Sequence, residues 1–146
     1  VVDITARKQA ESDLVGREHI LRLFVKHSPA AIAMFDRDMR YLAVSDRFLT
    51  DYQLPVQDLT GKSHYEVFPE LPEHWRQVHR RCLQGAIERG ERDEFVRLDG
   101  TTDWVKWEIR PWKEQTGALG GIILFSEVIT ARVESDARER RLLDVL

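Results

Sequence analysis

From about residue 91 onward the apolar letters of this chain change period. "ERDEFVRLDGTTDWVKWEIRPW" alternates on either side of Asp99-Gly100, and "KEQTGALGGIILFSEV" follows with a Thr116-Gly117 turn and one more apolar run. A period of two is the side-chain repeat of a strand, and an Asp-Gly pair between alternating runs is a hairpin signal. On "DWVKWEIRPW" the alternation puts Val105, Trp107 and Ile109 on one face and Trp104, Lys106, Glu108 and Arg110 on the other. Each face carries a tryptophan, so neither is a plain solvent face.

The remaining segments must pack around these three strands. "AAIAMFDRDMRYLAVS" holds two short apolar runs around Asp36-Arg37-Asp38 and reads as a further hairpin. Residues 45–70 are broken by Pro55, Gly61 and Pro69 into two or three short helices, with Ser45 before "DRFLTDY" the clearest cap. Residues 72–89 read as the longest internal helix, with Trp75, Val78, Cys82, Leu83, Ala86 and Ile87 on one face. A helix over 6–27, capped by Thr5 and stopped by Ser28-Pro29, opens the chain. Another, with Val133, Ala137, Leu142, Leu143 and Leu146 as its apolar letters, closes it. Grouped strands with a helical insertion predict an α+β fold: a five-stranded antiparallel sheet with short helices on one face and a helix at each end. Sheet and helices then enclose a hollow suited to a small ligand.

Composition removes several classes of function. The 146 residues carry a net charge of −3 with no long Lys/Arg block, which argues against a nucleic-acid partner. The longest apolar run, near "GIILF", is far short of the roughly 20 residues of a membrane span. A single cysteine, Cys82, excludes an internal disulfide framework and fits a reducing, cytoplasmic compartment. A chain that begins without Met and stops inside a helical pattern is expected to be a segment of a longer multidomain protein. No Gly-rich phosphate loop, nucleophile elbow or kinase signature occurs, and Glu66, Glu70 and Glu73 lie near no nucleophile pattern. No catalytic residue is therefore assigned. His74 and His79 are five apart, off a shared helical face, and no His/Cys pattern has metal-ligand spacing.

The candidate ligand-pocket residues are the aromatics Phe35, Phe48, Tyr52, Trp75, Phe95, Trp107 and Phe125, joined by His64 and His79. Two readings stand side by side: simple filling of the core, and the lining of a pocket in which His64 or Arg110 orients a ligand. The candidate dimer-helix residues are Ala10, Leu14, Leu21 and Phe24, at spacings of 4, 7 and 3, with Arg17 in the intervening seam position. So narrow a stripe needs a partner helix to bury it, which predicts a parallel homodimer.

The ordered set "AAIAMFDRDMRYLAVSDRFL", "LTGKSHYEVFP", "DGTTDWVKWEIRPW" and "GALGGIILFSEVIT" resembles a PAS domain, the sensory module of bacterial signalling proteins, over roughly residues 28–130. The version with Trp104, Trp107 and Trp112 resembles PAS repeats found upstream of histidine kinases. The resemblance also accounts for a near-repeat: Ile4-Thr5-Ala6-Arg7 returns as Ile129-Thr130-Ala131-Arg132, 125 residues later. In that family an Asp-Ile-Thr exit joins the core to its outgoing helix. Residues 1–27 would then be a linker helix following a preceding module, 28–129 the sensor domain, and 130–146 a signalling helix. The first copy keeps the family's acidic letter as Asp3; the second has Val128 in its place, where the family's Asp ties the exit helix to the core.

The function this implies is a relay module of a two-component sensor histidine kinase, passing a small-molecule or partner cue through its flanking helices. The alternatives are a ligandless dimerisation relay and a sensor for a diguanylate cyclase type output. No cofactor is required. Haem relatives place a His on the long helix, which makes His79 the one candidate. Flavin relatives carry an Asn-Cys-Arg-Phe-type stretch before that helix, whereas Cys82 sits late on it in "RRCLQG", so neither haem nor flavin is expected.

Overall fold

The period-two region forms the larger part of one sheet. In a computed structural model, which describes residues 4–55 and 57–145, the elements run α1 (Ile4–Lys26), β1 (Ala31–Asp36), β2 (Tyr41–Val44), α2 (Asp46–Asp51), α3 (His64–Val67), α4 (Glu73–Leu83), β3 (Glu88–Val96), β4 (Thr102–Lys113), β5 (Leu119–Val128) and α5 (Thr130–Val145). The strands form one five-stranded sheet in the order β2-β1-β5-β4-β3, antiparallel throughout. This is the α+β architecture that the grouped strands predict. Asp3 and Leu146 lie outside the described residues.

Register sets the inward face. Phe35 on β1 faces Ile122 on β5, and Leu124 on β5 faces Ala33 on one side and Ile109 of β4 on the other. Ala31, Ala33 and Phe35 alternate inward along β1, and with Tyr41, Phe48, Leu59, Ile109 and Ile122 they form the buried core. Each such large apolar side chain contributes roughly 1.5–3 kcal/mol on burial.

Local signals place the helices against this face. Ser45 is fully buried. Its Oγ accepts from Phe48 N (3.2 Å) to cap α2, accepts from Ile32 N (2.9 Å) and donates to Ala30 O (2.9 Å). One hydroxyl thus starts a helix and fastens it to β1. Ser63 caps α3 in the same way through Tyr65 N, which fixes His64 as the first helical residue.

Two expected boundaries move. The helix expected over 72–89 ends at Leu83, because Gly85 takes a left-handed φ of 111° that reverses the chain into β3. Ala86 and Ile87 therefore leave the predicted helical face, and Ile87 is exposed. At the start, α1 already includes Thr5 in its first turn, so Thr5 does not stand before the helix as its cap. The last turn of α1 reaches the edge strand β2, and no residue of α1 or α5 is buried. Among the described residues no helix is long and apolar enough to cross a membrane.

At the exit from β5, just after Val128, the chain is tied to the neighbouring strand. Ile129 N donates to Trp104 O (2.7 Å), and Thr130 Oγ1 accepts from Trp104 N (2.9 Å) while donating to the Asp103 carboxylate (2.5 Å). The carboxylate that holds the exit helix comes from the neighbouring strand β4, at the start of "DWVKWEIRPW".

Candidate functional site

Between α2, α3, α4 and the inward faces of β3, β4 and β5 lies a cavity of about 50 Å³, walled mostly by apolar side chains. A single water occupies about 10–15 Å³ on this scale, so the space equals a few waters. Its sheet wall is built by strand parity. Val105, Trp107 and Ile109 come from β4, Leu124 and Ser126 from β5, and Phe95 from β3. Tyr52, at the end of α2, stacks edge-on against Phe95 (5.3 Å between ring centres) and donates its hydroxyl proton to Ser126 Oγ (3.0 Å).

The Trp107 ring crosses the sheet toward β3, and its Nε1–H donates to Asp93 (2.6 Å). Gly90 makes room for that ring: a Cβ there would lie 2.4 Å from the indole nitrogen. On the helical side Trp75 of α4 meets Trp107 nearly perpendicular, with ring centres 4.9 Å apart.

The polar part of the wall is a pair of histidines. His64 on α3 and His79 on α4 are both buried, with ring centres 5.3 Å apart. His64 Nδ1 lies 2.6 Å from the Tyr41 hydroxyl, and His79 Nδ1 lies 3.0 Å from the Tyr65 hydroxyl. Burial first, then the neighbouring His79 and Arg76, hold His64 well below the usual imidazole range. Burial and Arg76 pull His79 down to about 4. Both rings are therefore neutral near pH 7. Arg76 itself lies over the Tyr65 ring, 4.2 Å from its centre. Burial also raises the Tyr41 phenol, which keeps its proton.

Of the nine pocket candidates, the structure brings together seven around this cavity: Phe48, Tyr52, His64, Trp75, His79, Phe95 and Trp107. Two lie elsewhere. Phe35 is fully buried in the core and packs against the His64 ring, behind the cavity wall. Phe125 projects from the opposite face of the sheet, because Ile122, Leu124 and Ser126 share the inward parity of β5 and residue 125 does not. Arg110 also sits on that outer face, beside Glu108 (3.7 Å), and orients nothing in the cavity.

Phe68, Leu71, Leu124 and Ser126 complete the wall although no aromatic or motif signal marks them all; strand parity from Ile122 is the signal that finds the last two. Cys82 is buried, and its thiol, pushed up by burial, donates to Ile109 O (3.6 Å). Among the described residues no group of His, Cys, Asp and Glu is placed to hold a metal ion. The dimer-helix candidates Ala10, Leu14, Leu21 and Phe24 all stand exposed on α1.

A family model described as the PAS fold matches residues 25–134. The chain is 31% identical over 140 residues to the virulence sensor protein BvgS of Bordetella pertussis, an alignment that covers 90% of this chain and 11% of that protein. Among solved structures, the PAS domain of Bordetella pertussis BvgS superposes with a TM-score of 0.64 at 22% identity, covering 90% of this chain and 99% of that one. An RNA-binding light-oxygen-voltage receptor superposes with a TM-score of 0.64 at 17% identity, covering 88% of this chain and 37% of that one.

Proposed function

The chain belongs to the PAS-fold family, and from that premise we propose that it is the sensory module of a longer bacterial signalling protein, a two-component sensor histidine kinase, with the cavity as its receiving site. The likeness to a virulence sensor protein supports this reading. The observation that carries it is the shared strand: β4 lines the cavity through Val105, Trp107 and Ile109 and holds the exit helix through Asp103 and the Trp104 backbone. Catalysis belongs to other parts of the parent protein. This module supplies only a difference in affinity between two arrangements of its outgoing helices, which is all that a shift of population requires. The unburied apolar stripe on α1 supports pairing with a second copy through the flanking helices.

The test uses the full-length parent protein with radiolabelled ATP. Filling the cavity by Ser126→Leu is expected to change the rate of histidine autophosphorylation about fivefold or more, the lower bound of ordinary coupling energies. No phosphohistidine in the wild-type protein would sink the kinase assignment. Phosphohistidine that forms at the same rate in both proteins would sink the role of the cavity.

A further inference from the structure

The polar hydrogens around the cavity define what it can hold. Tyr41 is fully buried, and among the described residues the only partner of its hydroxyl is His64 Nδ1. If the imidazole donated, the phenol proton would be stranded in the core, at a cost of about 1–3 kcal/mol. The phenol therefore donates, Nδ1 accepts, and the proton of neutral His64 sits on Nε2. For Tyr65 and His79 we assign the same direction, phenol to imidazole.

Among the described residues neither Nε2 has a protein partner, yet no fully buried side-chain nitrogen or oxygen is left without one. Both rings line the cavity, so both Nε2–H groups open onto it. Ser126 adds a third: its Oγ accepts from Tyr52, and its own proton is free to turn to the cavity that it lines. None of the lining side chains is acidic or basic beyond the two histidines, and Trp75, Trp107, Phe48 and Phe68 present flat apolar faces. A charged guest would lose its hydration with no opposite charge in the wall to replace it.

We propose that the cavity takes a small, flat, uncharged molecule bearing two hydrogen-bond acceptors, such as carbonyl oxygens or ring nitrogens, which accept from His64 Nε2–H and His79 Nε2–H with Ser126 Oγ–H as a third donor. The inference rests on the ligand-sensing reading above and names its ligand class. Arg76, stacked on Tyr65 outside the wall, disfavours a cation, and burial, with Arg76 adding to it, keeps both histidines in the neutral donor form. The cavity, about 50 Å³, is smaller than one ring, so the proposal requires the wall to yield on binding, with the half-buried Trp75 the side chain that moves.

The test titrates the 146-residue chain with three probes of six heavy atoms: pyrazine (neutral, two acceptors), benzene (neutral, none) and pyruvate (anionic). Binding is followed by two-dimensional 1H–15N spectra of the histidine rings. Without probe, His64 and His79 are expected as Nε2–H tautomers. Pyrazine is expected to bind at least about fivefold tighter than benzene, as one or two net hydrogen bonds allow, and to shift both Nε2 signals; pyruvate is expected to bind more weakly than pyrazine. His79→Leu is expected to lower pyrazine affinity severalfold and leave benzene unchanged. Ser126→Ala gives a second, smaller loss where the histidine variant fails to fold. Equal binding of benzene and pyrazine, or Nδ1–H tautomers, overturns the donor assignment while the pocket itself stands. Tightest binding by pyruvate overturns the neutral class. Binding of none of the three overturns this proposal together with the ligand-sensing reading beneath it.

Discussion

Replacing Asp103 by Asn isolates the contact that holds the exit helix. The carboxylate accepts from Thr130 Oγ1 (2.5 Å) and Arg97 Nε (2.5 Å), with side chains 23% exposed for Asp103 and 10% for Arg97. The hydrogen bond from Thr130, followed by that from Arg97 and its charge, lowers the Asp103 carboxyl below its ordinary value despite some burial. Hydrogen bonds to a charged group contribute about 1.5–3 kcal/mol each when well buried, and partial exposure reduces this. Asn keeps one acceptor for Thr130 but turns toward Arg97 a group that has lost its charge. The expected cost is about 2 kcal/mol, a fall in Tm of roughly 4–8 °C for a domain of this size.

The loss should be local as well. Amide exchange in the first turn of α5 is expected to speed up by roughly 30-fold, while β1 amides follow the global change. Because the folded-state pKa is depressed, the carboxylate's contribution is complete above the unfolded value near 3.9 and disappears as pH falls through the folded value. The gap between wild type and variant should therefore persist at pH 5 and close only in stronger acid. Equal Tm values with unchanged α5 exchange would refute the view that Asp103 does the work of the residue missing at Val128.

Two further outcomes are expected. His64 and His79 are depressed bases, so the unfolded chain takes up protons below about pH 6.5 that the folded chain refuses until about pH 4, where His79 titrates. Unfolding free energy from urea titrations should fall across that window by up to about 1.4 kcal/mol per pH unit for each histidine, and His79→Leu should remove about half of the slope; a flat profile would contradict the buried neutral pair. On α1, Leu14, Leu21 and Phe24 are 59%, 63% and 72% exposed. Light scattering should find a dimer that Leu21→Asp converts to monomer while circular dichroism keeps the sheet signal of the folded domain, since Leu21 is not buried within one copy; a wild-type monomer at high concentration would remove the helix-pairing model.

Much of the fold is legible in the letters because its signals are local. Ser45 before an amphipathic turn, Asp99-Gly100 between alternating runs and Ser28-Pro29 after a helix each act within a few residues, and each element forms where they place it. The errors come where two local signals compete. Helical spacing carries "QGAIER" onward from α4, but Gly85 at positive φ ends the helix. Aromatic character draws Phe125 into the pocket, but the parity set by Ile122 and Ser126 turns it outward. Parity already assigns Arg110 to the outer face of β4, against its use as a ligand contact. What no local pattern contains is the meeting of His64 with His79, or of Asp103 with Thr130. Each pair joins residues from different elements, and only the completed sheet and helix layer bring them together.

That layer also joins cavity and exit helix through one run of contacts. Arg97 sits between them. Its Nε binds Asp103, the residue that holds Thr130, and its Nη2 donates to Asp51 O (2.6 Å) at the end of α2. The next residue, Tyr52, is a wall of the cavity and binds Ser126 on β5. A guest that displaces Tyr52 therefore acts on the carbonyl that Arg97 holds, and a shift of Arg97 changes its grip on the carboxylate at the base of α5. The path crosses side chains that are packed and hydrogen-bonded rather than free in solvent, so a small displacement has few ways to dissipate. What gives the connection physical content is that Arg97 is common to both contacts and cannot improve its geometry toward Asp103 and toward Asp51 independently.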